Sequence, residues 1–232
     1  MSATGTRPGR GTAVLLAVLM PLGPLCVAAL RGLLPSFTSD SGVDVARAVA
    51  AAPGRQSAVV WLGYVAVLLL VPGVLAVGGL TRQAAPRLTW WALALVVPGY
   101  LSLGAVVAGD ATVWSGSAAG LGDGAVAALQ DHPHPAMIVG LAVFVVGHVV
   151  GTFLLGMALL KSRRVAAVFA WALAVSQPLH FVSFVVLGIQ SLDVFAWCLT
   201  AVGMGAAAWA LVNPAPAAPA QARGVDLAAA GA

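Results

Sequence analysis

Apolar residues fall in six long runs, at 12–30, 57–80, 88–108, 135–160, 165–189 and 194–212, and polar residues gather between them. Each run has roughly the ~20 residues that a helix needs to cross ~30 Å of hydrocarbon. The pattern predicts an all-α integral membrane protein, with six transmembrane helices in one domain spanning 12–212. A short polar leader at 1–11 precedes it, and an Ala/Pro-rich stretch at 213–232 reads as a disordered tail. Two intervening segments, 35–56 and 110–134, are long enough for a short surface helix each, at 43–52 and 124–130. The segments at 81–87 and 161–164 are tight, which makes spans two and three, and spans four and five, antiparallel neighbours.

The runs carry an internal repeat. Trp91-Ala92-Leu93-Ala94 with Pro98 in span three recurs 80 residues later as Trp171-Ala172-Leu173-Ala174 with Pro178 in span five. Span one holds a weaker copy, Leu16-Ala17-Val18 with Pro21. This reads as three tandem helical hairpins whose odd-numbered helices are kinked by proline. A mid-helix proline removes one backbone hydrogen bond, which a membrane helix tolerates when its neighbours satisfy the freed carbonyl. Three kinked helices around a pseudo-threefold axis are expected to open a central cavity.

Composition agrees with lipid as the solvent. Residues are 61% hydrophobic and 8% charged, against about 25% charged in soluble domains. No soluble segment is large enough to carry an activity of its own. The basic residues form no stripe with exposed aromatics, so nucleic acid is not an expected partner. They mark topology instead. With the N-terminus in the cytoplasm, Arg7, Arg10, Arg82, Arg87, Lys161, Arg163, Arg164 and Arg223 are all cytoplasmic. Arg31, Arg47 and Arg55 then lie outside, with Asp40, Asp44, Asp110, Asp123, Asp131 and Asp193. The Ala-, Val-, Gly- and Arg-rich alphabet resembles that of high-GC bacteria. The expected location is the bacterial cytoplasmic (inner) membrane, multi-pass, with both termini inside. Cys26 and Cys198 lie toward the outer ends of their spans and read as two buried thiols.

Ionisable residues inside a span face the bundle interior and mark functional sites. His148 lies 12 residues from the inner end of span four, and His180 lies 15 from the inner end of span five. At 1.5 Å per residue these are depths of roughly 18 and 22 Å, so the two rings can meet across adjacent helices. Ser176, Gln177 and Ser183 share the helical face of His180. Thr152 lies one turn from His148, and Tyr100 occupies the repeat position of His180. These seven residues are the expected lining of a polar site between spans three, four and five.

Three readings of that site are open. Neutral histidines can simply hold the bundle together by hydrogen bonds. They can line a transporter-like cavity for a small molecule or a proton, since imidazole titrates near neutral pH. Or His148 and His180 can be axial ligands of haem b, or hold another metal ion. A second metal-ligand set, Asp131, His132 and His134, stands at the outer mouth of span four. No catalytic constellation is apparent: Ser176 and Ser183 are each one turn from His180, which is local helix geometry. Trp90, Trp91, Trp171, Trp197 and Trp209 fall near span ends and read as interfacial anchors. The glycine pairs Gly147/Gly151 and Gly203/Gly205 read as faces for a second copy or another chain in a membrane complex.

Overall fold

The computed structural model describes residues 9–38 and 41–213. Arg7, Asp40, Arg223, most of the leader and all of the tail beyond Asn213 lie outside the described residues. The elements are α1 (Arg10–Leu33), α2 (Gly42–Ala51), α3 (Pro53–Thr81), α4 (Pro86–Ala118), α5 (Asp123–Asp131), α6 (Pro135–Ser162), α7 (Ala167–Phe181) with a π-helical extension (Val182–Leu187), and α8 (Gln190–Val212). Six of these are long and apolar enough to cross a membrane: α1, α3, α4, α6, α7 with its extension, and α8. The chain is an all-α, multi-pass membrane protein built for a lipid bilayer.

Local chemistry sets the helix ends. Pro53, Pro86 and Pro135 open α3, α4 and α6, where a missing N–H is harmless and the fixed φ suits a first turn. Ser41 caps α2 by accepting from the Asp44 N–H at 3.3 Å. The π-helical extension ends on Gly188 at φ 64°, a left-handed conformation that suits glycine.

The six long helices form a closed ring in chain order. Each packs on its sequence neighbour, and α8 returns to pack on α1. The three hairpins α1/α3, α4/α6 and α7/α8 are therefore all present as contacting pairs. An even number of crossings brings Arg10 and Val212 to one end, here the near end. The far end carries α2 and α5, which pack on each other and on α4. Ala46, Val49, Val113 and Val126 form a small second core there.

Several expectations change. Helix α4 runs ten residues past the expected end of span three, through Asp110, and continues to Ala118. Its 33 residues reach roughly 50 Å, longer than the hydrocarbon, so its last turns support the far-end cap. Gln56 fixes that extension by donating to the Asp110 carbonyl at 3.2 Å. Trp114 Nε1–H donates to the Pro53 carbonyl at 3.2 Å. Span two carries a proline as well, Pro72 inside α3. The ring axis is filled: Met20, Leu70, Val74, Leu155, Leu159 and Met204 are fully buried in one core.

The glycine faces are also used internally. A Cβ on Gly147 would lie 2.5 Å from the Leu95 carbonyl oxygen and 2.7 Å from Gly99 Cα. One on Gly151 would lie 2.5 Å from Val96 N, and one on Gly203 would lie 2.6 Å from Leu173 Cβ. These glycines bring α4 onto α6 and α7 onto α8, so they are closed to another chain. Trp197 is no interfacial anchor either: it is 1% exposed. Trp90, Trp91, Trp171 and Trp209 are exposed, as lipid-facing anchors should be.

Candidate functional site

The site grows from the way α7 ends. Pro178 cannot donate to the preceding turn, and the helix widens into π geometry two residues after His180. Such π segments are rare, and they often occur where a side chain is presented for function. Here His180 points into the bundle, 7% exposed, with Phe184 of the π segment stacked against it at 6.3 Å and 3°.

Asp193, on the first turn of α8, is 0% exposed and bonds His180 Nδ1 through one carboxylate oxygen. The other oxygen takes the Nε–H of Arg31, at the C-terminal end of α1. The Arg31 guanidinium lies over the rings of Phe184 at 4.5 Å and Phe37 at 4.9 Å, a cation–π clamp. A buried carboxylate is costly unless paired and hydrogen-bonded, and Arg31 supplies both charge and donor. Residues of α1, α7 and α8 thus converge on one carboxylate.

His148 on α6 is 1% exposed. Its Nδ1 contacts the Phe144 carbonyl one turn back. A carbonyl only accepts, so Nδ1 carries the proton and Nε2 of the neutral ring is a bare lone pair. That Nε2 is buried and has no hydrogen-bond partner. The His148 and His180 ring centroids are 5.4 Å apart at 56°, so the two histidines do meet across α6 and α7. Phe144 stacks on His148 at 4.1 Å, and Trp197 lies parallel to it at 6.2 Å.

Trp197 Nε1–H also reaches His180 Nδ1 at 3.2 Å. One ring nitrogen serves one of these partners at a time. As N–H it donates to Asp193; as a bare nitrogen it accepts from Trp197.

The remaining expected lining residues divide. Tyr100 OH and Thr152 Oγ1 bond at 3.0 Å across α4 and α6, and the Tyr100 ring lies 6.5 Å from His148. Gln177 Nε2 donates to Thr200 of α8 at 2.7 Å, leaving its Oε1 buried and unpaired. Ser176 and Ser183 instead donate to carbonyls of their own helix, Leu173 at 2.8 Å and Leu179 at 2.6 Å. Neither hydroxyl bonds His180. The buried polar cluster around the two histidines also draws on α1 and α8, through Arg31, Asp193 and Trp197.

The far-end set does not assemble. His132 Nδ1 bonds the Ala128 carbonyl at 3.0 Å, and His134 Nδ1 caps α6 by accepting from Ala136 N at 3.2 Å. Asp123 faces Arg47 at 3.6 Å. Among the described residues no three His, Cys, Asp or Glu side chains are placed to hold a metal ion. Cys26 and Cys198 are free thiols.

Haem can be tested against this geometry. Axial ligation by both histidines requires a porphyrin plate between the imidazoles. Phe144, Tyr100 and Trp197 pack around His148, and α6 is held on α4 through Gly99 and Gly147. The residues as packed do not fit a haem.

Sequence reasoning missed Arg31, Asp193 and Trp197. The available signal was spacing: Asp193, Trp197 and Thr200 lie at i, i+4 and i+7, one face of a helix. No protein-family model matches the chain, and no curated protein or solved structure matches it.

Proposed function

We propose that the chain is a transporter-like membrane protein whose far-half site accepts a small ligand or a proton at the His148–His180 pair. The observation that carries this is the His148 Nε2 lone pair, buried without a partner beside a histidine already coupled to Asp193 and Arg31. A buried polar atom without a partner is unfavourable by about 1–3 kcal/mol. A purely structural histidine would gain by pairing it. The filled axis below the site argues against an open pore and for access from one side. His180 is the proton relay, with Asp193 setting its ring orientation and Arg31 holding Asp193 in place.

The basic near end, with Arg10, Arg82, Arg87, Lys161, Arg163 and Arg164, supports a cytoplasmic near end in a bacterial inner membrane. Contact between α2 and α5, each placed between the two long helices of its hairpin, supports duplication of the first two hairpins.

The test is charge displacement in proteoliposomes on a solid-supported membrane. Jumps in pH, and in methylammonium, acetate or glucose at fixed pH, are applied to wild type, His148→Ala and Asp193→Asn. At least one jump should give a transient current in wild type that both variants lose. Currents equal to protein-free liposomes for every jump would refute the proposal.

A further inference from the structure

Among the described residues, the positive charge of the near end has no acidic partner. Among its described residues, Arg10, Arg82, Arg87, Lys161, Arg163 and Arg164 make no ion pair, and every described aspartate lies in α2, α5, α8's first turn or the far half of α4. Arg163 is also the one described non-glycine residue with positive φ, at 51°. That left-handed cap position ordinarily goes to glycine, so an arginine stands where the backbone disfavours it.

Beside this charge lies a groove of about 520 Å³ between the start of α7 and the end of α8. Phe169, Val202, Ala206 and Trp209 form its apolar wall, and Arg164 stands at its mouth. A second groove of about 460 Å³ adjoins it at Val165 and is lined by Lys161 and Arg163. Apolar wall, cationic mouth and exposed tryptophan occur together at the ends of two spans, a combination suited to the membrane–water interface. A soluble anion would need only the mouth. A neutral lipid would need only the wall.

The geometry points to a bound anionic phospholipid, its phosphate between Lys161, Arg163 and Arg164 and one acyl chain along the α7–α8 seam. Juxtamembrane basic residues favour anionic headgroups, and three together give roughly a hundredfold preference over a zwitterionic lipid. This site lies at the opposite end from the histidine pair and stands whether or not that reading holds.

The test is the thermal midpoint of the full chain in neutral detergent, with phosphatidylglycerol, phosphatidylcholine or inorganic phosphate added. Phosphatidylglycerol should raise the midpoint, and equal phosphatidylcholine or phosphate should not. The doubly substituted Lys161→Gln/Arg164→Gln protein should lose most of that rise, as should Trp209→Ala; all three residues are exposed, so folding is spared. An Arg82→Gln/Arg87→Gln protein should keep it. Equal rises with both lipids, a rise with phosphate alone, or a rise kept in Lys161→Gln/Arg164→Gln would overturn the site. A rise that appears only after residues 214–232 are removed would make the tail the occupant and overturn it too.

Discussion

Asp193 on α8 grips His180 on α7 with one carboxylate oxygen and Arg31 on α1 with the other. The ring of helices closes where α8 meets α1, so this single buried carboxylate ties the last hairpin to the first helix.

Removing it should be severe. Breaking a buried pair by deleting one partner leaves an uncompensated charge and costs about 3–5 kcal/mol. Asp193→Ala should lower the thermal midpoint strongly, and Arg31→Met/Asp193→Leu should be more stable than Asp193→Ala alone. Unfolding of wild type, these two variants and the single variants Arg31→Met and Asp193→Leu in detergent gives the comparison. Additive losses in the double variant would mean that the two residues do not interact.

Close helix approach makes a second prediction. Gly147→Ala or Gly151→Ala would drive a methyl into the backbone of α4, an overpacking cost of about 1–3 kcal/mol. Gly104, also in a long helix, has open space where its Cβ would be. Gly104→Ala should be neutral or stabilising by up to about 1 kcal/mol. Thermal denaturation of these variants tests whether α4 and α6 meet as described.

Tyr100 and Thr152 offer a cleaner case. Tyr100→Phe removes one bond and leaves the Thr152 hydroxyl buried without its partner, at about 1–3 kcal/mol. Adding Thr152→Val should recover much of that loss, because no polar atom is then stranded. A double-mutant cycle on unfolding free energy reads the coupling. Zero coupling would contradict the bond.

Much of this was legible from residue order alone. Six apolar runs gave the six helices, and depth along the spans brought His148 to His180. What escaped was the partner set, for a physical reason. A charge at a span boundary reads as loop, which leaves Asp193 outside a helix that in fact begins three residues earlier, at Gln190. Arg31 was lost the same way at the last turn of α1. The glycine pairs were recognised as close-approach faces, but which helix fills them depends on the order of the ring. Ring closure by α1 and α8 has no local signature.

Imidazole nitrogen chemistry gives the most direct check on the central claim. Four histidines are present, so ¹⁵N-histidine NMR of the protein in bilayers can be assigned with His148→Gln and His180→Gln. His148 should carry its proton on Nδ1 and leave Nε2 bare, and the His180 signal should move in Asp193→Asn. A His148 protonated at Nε2, or a His180 ring unchanged in Asp193→Asn, would contradict that claim.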